Sequence, residues 1–189
     1  MSKKRNQDAQ KRERLWIITE FGIYDTAAGG FKIKSLAAAL AADFEVKLLC
    51  RSERFFGGFL TERATEIGGA EVIRCSKAFQ PVAVFFKSLK NFRPGEKVLF
   101  AISTPSLALA AALAALIQGA SYTLFIADNY EERRRGRENF KYGSIRNGAR
   151  DFIDRWVYKY ARKIIVCSGE MKVFYDERAM GLDLPTVLI

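Results

Sequence analysis

Short, nearly continuous apolar runs at 15–19, 45–50, 71–75, 98–102, 122–127 and 164–167 alternate along this chain with longer stretches of helical period. The short runs predict strands buried on both faces, as in a parallel sheet covered by helices on each side. Helices are predicted over 31–42, 60–67, 82–91, 106–117 and 149–163. In the last of these, Phe152, Ile153, Trp156, Val157 and Tyr160 form a stripe that should pack on the sheet, with Asp151, Asp154, Arg155, Lys159 and Arg162 largely opposite. Strands alternating with helices predict an α/β fold, a doubly wound, mainly parallel, Rossmann-like sheet.

The region 98–127 carries no charge and is long enough to raise the question of a membrane span. Ser103-Thr104-Pro105-Ser106 and Gln118-Gly119 interrupt it. Pro105 suits the first turn of a helix with Thr104 as N-cap, so the run divides into strand, helix and strand.

The opening unit is the most informative. Its first strand leads through a polar loop to Gly29-Gly30, then to a helix of small residues and the second strand. Such a turn brings backbone N–H groups at a helix N-terminus towards whatever lies above the sheet, commonly phosphate. A tight turn needing positive φ explains the two glycines equally well. In a doubly wound sheet the ligand crevice lies where the winding reverses, so this turn should face Ser103-Thr104-Pro105, with Asp128 beside them at the end of the fifth strand. Asp128 also suits a helix N-cap, and Ser168 and Glu170 suit the cap of a later helix.

Charge adds a class of partner. The chain has 189 residues with 31 Lys+Arg against 21 Asp+Glu, a formal charge of +10, which favours an anionic partner. Residues 1–14 are expected to form a basic tail and 15–189 the folded domain. A second basic segment holds Arg133, Arg134, Arg135, Arg137 and Lys141 among aromatic residues and glycines. It reads either as a solvated surface or, with the tail, as a contact to an anionic bilayer. Nucleic acid is disfavoured, since no ribonucleoprotein or helix-turn-helix signature accompanies the charge.

Other chemistry is excluded by what is missing. The histidine count is 0, which removes a Ser-His-Asp triad and a Cys-His pair. Cys50, Cys75 and Cys167 stand alone, so neither a zinc site nor a disulfide framework is expected, no metal is called for, and a cytoplasmic setting follows. The first turn lacks G-x-G-x-x-G and Cys50-Arg51 closes the second strand, which does not support an NAD site.

Gly29-Gly30 with Leu36, Leu40 and Phe44-Glu45-Val46 resembles the glycine loop, first helix and second strand of the retaining family 4 glycosyltransferases of GT-B architecture. Thr104-Pro105 with its Ala/Leu helix, Asp128-Asn129-Tyr130-Glu131-Glu132, and the stretch from Trp156 to Met171 are similar to later parts of the N-terminal half of that family. The resemblance implies an acceptor-binding domain for sugar transfer from a nucleotide-sugar, a co-substrate in place of any cofactor, to a lipid-linked or polysaccharide acceptor. It implies that Gly29 and Gly30 meet the donor phosphate, that Asp128 orients the acceptor hydroxyl as the catalytic group, and that Thr104 and Glu132 lie on the acceptor side. The leaving diphosphate would then help deprotonate the acceptor, so no histidine is needed. The family's donor domain would follow Pro185-Thr186-Val187-Leu188-Ile189, and without it or a partner subunit carrying it transfer is not expected. The alternative is a non-catalytic module, derived from half an enzyme, that binds a membrane surface, as a peripheral protein at its inner face, or another protein.

Overall fold

The computed structural model describes residues 12–20, 28–51, 65–75, 80–102, 104–126, 144–178 and 186–188. Its strands are β1 (Arg14–Thr19), β2 (Glu45–Arg51), β3 (Glu66–Ile67), β4 (Ala70–Cys75), β5 (Lys97–Ala101), β6 (Ser121–Ile126), β7 (Lys163–Val166) and β8 (Thr186–Leu188). Its helices are α1 (Ala28–Leu40), α2 (Gln80–Asn91), α3 (Pro105–Ile117), α4 (Ser144–Lys159) and α5 (Gly169–Arg178). All eight strands join one sheet in the order β3-β4-β2-β1-β5-β6-β7-β8. Only β3 runs antiparallel to its neighbour. This is the expected α/β, doubly wound, Rossmann-like fold, and its winding reverses between β1 and β5.

Alternation along the strands divides the core in two. Trp16, Ile18, Phe100, Tyr122 and Ile164 face a layer that includes Val84 of α2, Leu107 and Ala111 of α3, Val157 of α4 and Met171 of α5. Ile17, Val46, Leu48 and Leu99 face the other way, against Ile33 and Ala37 of α1. Right-handed crossovers explain the split, because a chain winding one way from β1 and the other way from β5 puts its helices on opposite faces. Cys50 pairs in register with Arg74, and Cys75 with Arg51, so the two buried thiols point to opposite faces and cannot bridge.

Three expectations need correction. The end of the helix expected over 60–67 is instead β3, because Gly68 (φ 55) and Gly69 (φ 85) form a two-residue turn that pairs it with β4. Both central residues have positive φ, the turn that suits the strand twist best. The helix expected over 149–163 stops at Lys159, and Lys163 already belongs to β7. Of the stripe expected to pack on the sheet, Phe152 and Tyr160 are 71% and 43% exposed and lie off the core. Val157 is buried, with Ile153 and Trp156 partly so, and Ala161 joins the core beyond the helix.

Tyr122 fixes that end of α4. Its hydroxyl donates to the Val157 carbonyl at 2.5 Å, and its own carbonyl accepts from the Arg162 N–H at 2.8 Å. The first bond satisfies a carbonyl of the final helical turn, where intrahelical donors run out. At the amino ends of β1 and β5, Glu96 accepts from Arg14 Nη1 at 2.8 Å, Trp16 Nε1 at 2.9 Å and the Arg93 N–H at 3.0 Å.

Candidate functional site

Seven parallel strands bring their carboxyl ends to one edge, and the reversal of winding separates the loops after β1 and β5 there. Glu20 follows the last residue of β1. Thr104 is the N-cap of α3, as its position before Pro105 predicts. The two meet: the Thr104 N–H donates to Glu20 Oε2 at 3.1 Å, and the Thr104 hydroxyl donates to the same oxygen. Thr104 consequently makes no side-chain cap of its own to α3. A carboxylate instead sits at the positive end of the helix, where it is stabilised by the dipole.

Gly29 and Gly30 lie in the first turn of α1, which begins at Ala28 rather than at Phe31. The positive-φ explanation is therefore wrong for this pair. The left-handed glycines among the described residues are Gly68, Gly69, Gly95 and Gly119. In the first helical turn the N–H groups have no intrahelical acceptor, and α1 has no acidic residue in that turn. The ends of α1 and α3 thus differ in charge. α3 is met by the Glu20 carboxylate, whereas the first turn of α1 supplies only backbone donors.

Asp128, Glu132, Arg133, Arg134, Arg135, Arg137 and Lys141 lie outside the described residues. Of the other expected site residues, Thr104 stands at the winding reversal and Gly29 and Gly30 stand in the turn that opens α1. Ser168 does cap α5, accepting from the Met171 N–H at 3.2 Å, with Glu170 in the first turn.

Glu20 was missed by sequence reasoning. The available signal was its place as the first charged residue after the apolar run 15–19, at the carboxyl end of the central strand. Among the described residues no group of three or more His, Cys, Asp and Glu could hold a metal ion, and no helix is long and apolar enough to cross a membrane.

No protein-family model and no curated protein matches the sequence. Among solved structures, the fold is similar to that of TcCGT1 in complex with UDP, with a TM-score of 0.57 and 10% sequence identity. The match covers 93% of this chain and 50% of that one, so this chain spans about half the length of the protein it resembles. The shared feature is the fold, a Rossmann-like α/β sheet that matches one half of a GT-B architecture.

Proposed function

We propose that this chain is the acceptor-side domain of a GT-B glycosyltransferase, with sugar delivered from a nucleotide-sugar to a lipid-linked or glycan acceptor at the cytoplasmic face of a membrane. A donor domain, in the same polypeptide or in a partner subunit, completes the enzyme. The observation that carries this reading is the pair of unlike helix ends beside the winding reversal. Fold analogy with a UDP-bound structure raises its weight without assigning residues.

The charge difference divides the roles. A diphosphate is repelled by the Glu20 carboxylate and attracted by the backbone N–H groups of a first helical turn without acidic residues, so the donor phosphate belongs near Gly29 and Gly30. An acceptor hydroxyl needs a hydrogen-bond acceptor, which the Glu20 and Thr104 pair supplies on its side of the crevice. Asp128 and Glu132 are assigned to the same acceptor side, Asp128 as the group that orients the reacting hydroxyl. Transfer with retained stereochemistry, as in family 4, needs no further base when the leaving diphosphate takes the proton. The basic segment of Arg133, Arg134, Arg135, Arg137 and Lys141 is assigned to anionic lipid.

The test is sugar transfer by the native protein, with any subunit that co-purifies, from a panel of nucleotide-sugars to lipid and glycan acceptors. Transfer by the wild type, with a loss of at least about tenfold in Gly30→Trp and Asp128→Ala at unchanged folding, supports the assignment. Undiminished turnover in both variants removes the assigned site. No transfer from any donor by the folded native assembly replaces the enzyme with the non-catalytic module.

A further inference from the structure

The helical layer on one face of the sheet has an outer surface of unusual composition. α3 packs between α2 and α4. Its inner side is buried through Leu107, Ala111 and Ala115, yet its outer side is apolar as well: Leu113, Leu116 and Ile117 are 37%, 38% and 64% exposed. The helix contains no charged residue. A helix that is hydrophobic all round is normally covered on all sides, and among the described residues nothing covers the outer side of this one. Its neighbours extend the surface, with Phe86 of α2 at 63% exposure and Phe152 of α4 at 71%.

The charges around this surface are mostly of one sign. Neither α2 nor α3 contains an acidic residue. Lys90 follows Phe86 by one helical turn and is exposed, and Arg155 and Lys159 are exposed on α4. Lys159 Nζ stands 5.5 Å from the centre of the half-exposed Tyr160 ring. Long basic side chains beside exposed aliphatic and aromatic groups keep their stems on apolar surface and their charges in a polar layer.

We infer that the outer face of α2, α3 and α4 docks on an anionic lipid bilayer. Apolar side chains enter the boundary between headgroups and acyl chains while the neighbouring cations meet lipid phosphates. Charge complementarity selects this occupant over a second copy of the chain, which would bring Lys90, Arg155 and Lys159 against their own kind. α3 has 13 residues, fewer than the roughly 20 a span requires, so the helix lies along the surface. This inference rests on the membrane part of the proposed function and is independent of its nucleotide chemistry.

Flotation with phosphatidylcholine vesicles, with and without about 30 mol% phosphatidylglycerol, tests the surface. The wild type should float only with the anionic vesicles. Leu116→Asn combined with Ile117→Asn should weaken partitioning at least tenfold, or about 1.4 kcal/mol. Lys90→Glu and Lys159→Glu should weaken it roughly fivefold each. Ile117→Trp, whose indole replaces an exposed side chain, should show blue-shifted emission on adding anionic vesicles only. Reversal of Arg133, Arg134, Arg135 and Arg137 separately tests the basic segment, and nucleotide-sugar transfer tests the enzyme. Flotation unchanged by the asparagine pair, an unshifted Ile117→Trp spectrum, or a wild type that ignores vesicles and self-associates or binds another protein through this face would overturn the inference.

Discussion

Glu20 and Thr104 join the carboxyl ends of β1 and β5 across the reversal of winding, with both the N–H and the hydroxyl of Thr104 donating to one oxygen of the carboxylate. The bond ties the first loop of the sheet to the N-terminus of α3 and leaves a negative charge there.

Removing either partner should loosen this tie at modest cost, because Thr104 is exposed and water can replace a lost partner. Glu20→Ala and Thr104→Val are each expected to lower stability by about 1 kcal/mol. The double variant should cost less than the sum, since both changes delete the hydroxyl bond, whereas the Thr104 N–H bond is lost only with Glu20. Urea denaturation of all four proteins gives the coupling. Strict additivity would show that the pair contributes nothing as a pair.

Glu96 should matter more to stability than Glu20. It gathers donors from Arg14, Trp16 and Arg93, and the Trp16 ring is 2% exposed and packs edge-on at 5.3 Å against Phe92. Glu96→Ala leaves the indole N–H buried without its acceptor, and about 2–3 kcal/mol should be lost. Glu96→Gln, which keeps one acceptor oxygen, should recover part of that. A Glu96→Ala protein as stable as the wild type in urea would mean that water reaches the indole.

The reversal of winding was legible in the sequence because each central strand is an apolar run bounded by polar residues, and such runs signal burial on both faces. The Thr104-Pro105 helix start was legible for a local reason, since proline favours the first turn. β3 and β8 escaped detection for opposite reasons. β3 is too short for a period to develop, and its real signal is the Gly68-Gly69 turn, while Thr186–Leu188 gains its identity only by pairing with β7. The stripe on α4 was drawn too wide, because Phe152 and Tyr160 recur at the same helical spacing as Ile153, Trp156 and Val157, which do pack on the core. Periodicity identifies a stripe, but the sheet decides how much of it is covered. Glu20 was hidden because its partner lies 84 residues away.

Tyr122 predicts a pH dependence at the alkaline end. Burial pushes its phenol above the ordinary value, and the nearby Tyr160 adds to the effect. Burial likewise raises the Cys75 thiol, with the Lys87 ammonium opposing it. In both cases the unfolded chain releases the proton first, so stability is complete below the unfolded pKa and falls as pH rises beyond it. For Tyr122 the loss begins at about pH 10. Tyr122→Phe should lose about 1 kcal/mol at neutral pH with its bond to the Val157 carbonyl. Its melting temperature should then decline less steeply than that of the wild type above pH 10. Parallel declines in the two proteins would place the alkaline sensitivity elsewhere.

Gly68 and Gly95 share a left-handed backbone, with φ of 55° and 82°, but not the same surroundings. A Cβ added at Gly95 would meet nothing within 4 Å, so Gly95→Ala should cost only the conformational penalty of about 1–2 kcal/mol. A Cβ added at Gly68 would stand 2.7 Å from the Cβ of Ala38 and 3.1 Å from its Cα. Those atoms belong to α1 and its backbone, and cannot turn aside as a long side chain does. Gly68→Ala should therefore cost about 1–3 kcal/mol more than Gly95→Ala. Ala38→Gly removes one of the two clashing atoms at a helix penalty of about 1 kcal/mol of its own. Added to Gly68→Ala, it should be less harmful than it is in the wild type. That sign of coupling places the β3–β4 turn hard against α1, so the hairpin constrains the helix whose first turn holds Gly29 and Gly30. Equal costs for the two glycine substitutions, or additive effects with Ala38→Gly, would mean that the turn moves freely over the helix.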